Sequence, residues 1–169
     1  VAKPAKLPKA VSVESYFLRY AFPCTYVIKQ RGEINDRTFR ALENAAMHNR
    51  KVGRKLLEST YRKAFERMDR VAESMGIRSH WDLKVIREYF HNRHNAMIEA
   101  GDGSYAIAPN VFRELCKVHT AEIIEKRDDF FIVKYGRGKT RVVGSFYVPG
   151  AKKGDKVRIH HGFAVEMAE

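Results

Sequence analysis

The sequence predicts an α+β fold: a helical N-terminal layer followed by a small closed or partly open β-barrel. Three observations predict it. Between residues 54 and 75, Leu56, Leu57, Tyr61, Phe65, Met68, Val71, Ala72 and Met75 recur every three to five residues, the period of one helix face. Beyond residue 116 the pattern changes to short runs rich in Val, Ile, Phe and Tyr, separated by turn chemistry. Between the two regimes lies "GDGSYAIAPN", residues 101–110, a turn-rich linker. The expected organisation is a basic tail over 1–10, a helical domain over 11–110 and a barrel over 111–169.

The elements follow in order. "VESYFLRYAF" reads as a short helix ended by Pro23. "INDRTFRALENAAM" has Asn35 as its N-cap and Asp36 in the first turn. The helix after Gly53 runs to Gly76, which ends it. "SHWDLKVIREYFHNRHNAMIEAG" is a second strong helix. Ser79 caps it, and Asp82 three residues on resembles a capping box. "VFRELC" supplies one helical turn. Four or five short strands are then expected, with β-type runs in "KVHTAEIIE", "FFIVKYG", "TRVVGSFYV" and "KVRIHHGF". Fifty-odd residues is near the lower limit for independent stability, so the barrel is expected to pack against helices.

Composition narrows the function classes. An apolar content of 44% supports a packed core. No apolar run is long enough to span a membrane. "VAKPAKLPKA" lacks the apolar core of a secretory signal. With only Cys24 and Cys116, a disulfide framework is not expected, and a reducing cytoplasm is. The net charge of +12 favours an anionic partner. It is weighted forward: 20 Lys/Arg against 12 Asp/Glu up to residue 110, and 12 against 8 after it.

The candidate chemistry is sparse. Arg50, Lys51, Arg54, Lys55, Arg62, Lys63, Arg67 and Arg70 form a basic stretch suited to an anionic partner, though Glu58, Glu66 and Asp69 give it the mixed sign of a solvated face. His91 and His94 have a workable metal spacing but no third ligand nearby, which favours a structural role. His48 and His80 stand alone. "GRGKT" at 136–140 is a hairpin turn rather than a phosphate loop, and no HExxH or CxxC is present. Cys116, His119, His160 and His161 remain. Cys116 is expected to open the first strand, and His160 to lie in the last. A thiolate beside an imidazole suits iron, zinc or copper. His160 and His161 should face opposite sides of their strand, so only one can join Cys116.

"CKVHTAEIIE…FFIVKYGRGKTRVV…KKGDKVRIHHGFAVE" resembles the HypC/HybG/HupF family of hydrogenase maturation chaperones, and the resemblance covers residues ~115–169. The ending is the most specific part: Gly154-Asp155, a strand, His160, one residue, then Gly162-Phe163-Ala164. The resemblance implies an OB-like barrel. It implies a non-enzymatic accessory protein for [NiFe]-hydrogenase assembly, working by protein–protein contact. By position, it assigns Cys116 and His160 as the metal- or partner-binding residues, with His119 and His161 as possible accessories. The cargo implied is transient iron, an Fe(CN)2(CO) unit, and the partner is a HypD-like maturation protein or the hydrogenase large subunit. The alternative is a nucleic-acid-binding or structural subunit of a larger assembly. In that case Phe130, Phe131, Tyr135, Phe146 and Tyr147 would be exposed beside Arg137, Lys139 and Arg141.

Overall fold

The computed structural model describes residues 11–169, and the expected basic tail over 1–10 lies outside them. The chain divides into two compact units, Val1–Ile86 and Arg87–Glu169. The division falls inside the stretch read from sequence as one helix, not at residue 110. The reason is visible in the contacts of the second unit, whose helices bond to its own strands.

In the first unit, α1 spans Val13–Ala21, and the Ser12 hydroxyl accepts from the Ser15 amide at its start. Pro23 does not end the helical path. It sits at the start of a 3-10 turn, Phe22–Cys24, where a missing N–H costs nothing, and α2 (Thr25–Gln30) follows directly. The Asn35 side chain caps α3 (Asp36–Met47) by accepting from the Thr38 amide at 2.8 Å. The long helix expected after Gly53 is broken at Tyr61, with φ −105° and ψ 37°, into α4 (Arg54–Thr60) and α5 (Arg62–Ser74). Tyr61 is buried, and its hydroxyl meets that of Thr25, so the break turns a ring inward. Gly76, at φ +66°, ends α5 as expected. Phe17 is the hub of the core, with ring centroids 4.7 Å from Phe65, 5.5 Å from Tyr61 and 5.8 Å from Trp81. Burying each such ring stabilises by roughly 1.5–3 kcal/mol.

The stretch 79–101 starts one turn later than expected. Asp82 caps α6 (Leu83–Glu88) by accepting from the Lys84 amide, while the Ser79 hydroxyl accepts from the Trp81 amide. Then Tyr89–Arg93 form one wide π-helical turn before α7 (His94–Glu99). A 3-10 turn (Gly103–Ile107) and α8 (Asn110–Cys116) complete the helices.

Five strands close into a barrel in the order β1–β2–β3–β5–β4, with β4 returning to β1. They are β1 Val118–Arg127, β2 Phe130–Tyr135, β3 Lys139–Gly144, β4 Lys156–His160 and β5 Phe163–Met167. A bulge between Ile123 and Glu125 lets the long β1 bend to pair with both β2 and β4. Gly136 and Gly138, both at positive φ, form the β2–β3 turn expected at "GRGKT". Neighbours β3 and β5 are parallel and meet at one pair, Gly144 and Phe163. Ala121, Ile123, Phe131, Val133, Tyr135, Val143, Val157, Ile159 and Ala164 fill the interior. Among the described residues, no helix is long and apolar enough to cross a membrane.

Candidate functional site

The site lies in the second unit, where helices meet the β1–β4 edge of the barrel. The Asn95 side chain sets the junction. Its amide oxygen accepts from the Val118 N–H at 2.8 Å, and its NH2 donates to the Val118 carbonyl at 2.7 Å. Asn95 thus mimics a strand neighbour for the first residue of β1. The wide turn before it brings His91 round as well, with Nε2 2.8 Å from the Glu166 carboxylate on β5. His91 and His94 therefore part company: His91 meets a carboxylate, and His94 is buried against Tyr89 and Phe90.

Cys116 does not open a strand. It is the last residue of α8, and its side chain is 1% exposed, packed with Ile98, Tyr105, Ala108 and Phe112. Its carbonyl, one of the unpaired acceptors at the end of a helix, receives His160 Nε2–H at 2.9 Å. His160 and Cys116 are thus brought together through imidazole and backbone. His160 pairs with Val118 across β4 and β1, and it is fully buried. Its ring stands edge-on to His94 at 5.4 Å and to His161 at 5.0 Å.

His161 is not on the opposite face of the same strand. It is the first residue of the two-residue turn that joins β4 to β5, at φ +49°, because His160 and Phe163 already face each other across the hairpin. Its N–H donates to the Leu115 carbonyl at 3.2 Å, so consecutive histidines satisfy consecutive carbonyls at the end of α8. Burial and the nearby Arg141 guanidinium push its pKa down to about 4, so the ring is neutral near pH 7. Its Nε2 is buried and makes no hydrogen bond among the described residues. His119 shares the environment of Glu114, with Nε2 3.3 Å from that carboxylate, and stacks 4.7 Å from Tyr135. Burial dominates and lowers its pKa despite Glu114. Glu114 itself is held below the usual carboxylate range: burial opposes this, but hydrogen bonds from Lys139 and Lys117 outweigh it.

The basic stretch is uneven. Arg67 is buried, and Arg54 donates to Glu14 at 2.8 Å while lying over Trp81. Lys51 approaches Glu14 at 3.9 Å and Arg62 faces Glu66. Arg50, Lys55, Lys63 and Arg70 are exposed. Of the aromatics in this region, Phe131 is fully buried and Tyr135 is buried under Arg141, Phe130 and Tyr147 are half-buried, and Phe146 is exposed. His80 bonds to Asp69 and Glu58, and His48 to the Asn44 carbonyl. No disulfide joins Cys24 and Cys116.

Together these features define an α+β protein with a closed five-stranded barrel and a buried imidazole cluster at its helical edge. No family model, curated protein or solved structure matches the chain. Sequence reasoning missed Asn95 and the turn geometry of His161. The His161-Gly162 pair inside an apolar run was the available signal of a turn.

Proposed function

We propose that this protein is a HypC-like accessory chaperone for [NiFe]-hydrogenase metallocentre assembly, without catalysis of its own, working in the cytoplasm by binding a partner protein. The observation that carries the reading is an apolar surface beside the resembling residues. Val111 is 76% exposed, and Leu115, one turn on along α8, is exposed with it. Ile107, at the end of the preceding 3-10 turn, is 91% exposed. Apolar side chains this exposed and close in sequence are what a protein contact covers. Leu115 and Cys116 are the residues whose carbonyls receive His161 and His160.

The strand order, with a parallel β3–β5 closure, supports an OB-like barrel. The burial of Phe131 and Tyr135 favours this reading over a single-strand nucleic-acid binder. The partner is a HypD-like maturation protein or the hydrogenase large subunit. As arranged, Cys116 and His160 do not form a ligand pair for the Fe(CN)2(CO) cargo. The thiol is enclosed by apolar side chains, and the ring meets the Cys116 carbonyl.

Anaerobic affinity purification of the full chain, wild type beside Val111→Asp, tests the proposal. A maturation protein or hydrogenase large subunit recovered with the wild type and lost with the variant is the expected result. Recovery of RNA, or of neither protein, would overturn it.

A further inference from the structure

We propose that the open edge of β3 binds an extended segment of another protein in which acidic and apolar residues alternate. The segment would add to the barrel as one more strand. The barrel closes between β3 and β5 at a single residue pair, Gly144 and Phe163. Over residues 139–143, β3 has β2 on one side and, among the described residues, no strand on the other.

Two bonds at the end of β3 show which backbone groups face the gap. The Gly144 N–H donates to the Gly162 carbonyl at 2.8 Å, towards β5. The next N–H, of Ser145, donates to the Asp129 carbonyl at 2.9 Å, towards β2. Backbone groups alternate between the two edges of a strand, and β3 pairs with β2 without a register shift. Thr140 and Val142 therefore turn their N–H and C=O groups to the open edge, as Gly144 does. Lys139, Arg141 and Val143 turn theirs to β2. Among the described residues, no backbone group of Thr140 or Val142 has a partner. Both side chains are exposed too, Val142 by 59%. A row of unpaired donors and acceptors is a template for a further strand.

The side chains select the occupant. Residues 130–144 hold Lys134, Arg137, Lys139 and Arg141 and no Asp or Glu. Lys139 and Arg141 lie on one face of β3, and Thr140 and Val142 on the other. Val142 stands opposite Ile132 of β2, which widens the apolar face. Lys139 already meets Glu114 at 3.1 Å. Arg141 meets the Tyr135 hydroxyl and ring and the His161 carbonyl, but no carboxylate among the described residues. A strand with acids on one face and apolar residues on the other matches both faces of β3. Edge-to-edge pairing with a second copy of this chain would set these cations against each other, which disfavours that occupant. The surface lies on β3 rather than α8, so it stands whether or not the partner proposed above is correct.

The test is calorimetric titration of the full chain with a peptide of about eight alternating Glu and Val residues, the length of a strand. Saturable binding is expected. Two altered peptides should not bind: one with Lys for Glu, and one with N-methylated backbone amides. Val142→Pro removes an edge-facing N–H and no bond to β2, and it should weaken binding roughly tenfold. Amide hydrogen exchange gives a readout that needs no variant. In the free chain, Thr140 and Val142 should exchange faster than Arg141 and Val143, and the peptide should slow Thr140 and Val142 about tenfold. Equal protection of all four amides in the free chain would overturn the proposal. So would no saturable binding of the Glu–Val peptide, or equal binding of the Lys or N-methylated peptide.

Discussion

The two units satisfy their buried polar groups in opposite ways. In the first, a rigid aromatic core is ringed by charge. Glu14, 4% exposed, accepts from Arg54, and Glu58 accepts from the Trp81 indole N–H at 2.6 Å. In the second, the inward groups are imidazoles, and their partners are backbone carbonyls and other rings. A buried carboxylate is stabilised as the charged form by its donors, whereas a buried imidazole beside Arg141 is stabilised as the neutral form. The lesson is that one chain carries two acid sensitivities with different origins and different pH windows.

Removing the most enclosed imidazole should have the largest effect. His160→Ala deletes the bond to Cys116 and opens a cavity between β4 and α8. The second unit should lose about 3 kcal/mol of unfolding free energy, measured by urea titration of the β-strand amide signals. Asn95→Ala comes next, at about 2 kcal/mol by the same measurement, because it strands both the N–H and the carbonyl of Val118. An unchanged midpoint in Asn95→Ala would mean that the helical edge does not hold β1.

The pH dependence sharpens the contrast. His161 has a folded pKa of about 4 against 6.5 for an unperturbed ring, so the unfolded chain takes up the proton first. Its contribution is complete above pH 6.5 and is lost as pH falls from 6.5 towards 4. The lowered pKa of His119 acts in the same direction. In the first unit, Glu58 is held below 4.5 chiefly by the Trp81 hydrogen bond. Burial opposes the lowering of Glu14, but the Arg54 bond and the charges of Lys51 and Arg54 outweigh it. These contributions are complete above pH 4.5 and are lost below it. Between pH 7 and 5, the urea midpoint read from β-strand amides should therefore fall, while the midpoint read from Trp81 fluorescence stays level. The smallest effect is expected from Glu14→Gln, about 1 kcal/mol at pH 7, with a flatter Trp81 midpoint below pH 4.5. A Trp81 midpoint that tracks the barrel across pH 7 to 5 would break the comparison.

Most elements were legible because local chemistry announced them. Asn35, Gly76 and the "GRG" turn each placed a boundary through a side chain or a positive φ that its own neighbours required. What escaped was decided at a distance. Tyr61 breaks a helix whose periodicity runs straight through it, because its hydroxyl reaches Thr25, 36 residues away. Cys116 sits on α8 because β1 begins where Asn95 pairs with Val118, which no neighbour of Cys116 encodes. His160 and His161 share one apolar run, yet one ends a strand and the other turns the chain. The pairing of His160 with both Val118 and Phe163 settles that, and it depends on three strands at once. The sequence picked out Cys116 and His160 as neighbours, but it could not say which atoms would meet.

The π-helical turn at Tyr89–Arg93 has a consequence for the gene rather than for the fold. A wide turn arises when one residue is inserted into an α-helix and the strain is absorbed locally. Deleting a single codon there would restore a regular helix. The residues after it would rotate by about 100° relative to Glu88. A gap of one residue at 89–93 in a related chain would therefore mark a protein in which Glu88 faces side chains other than Asn92 and Arg93.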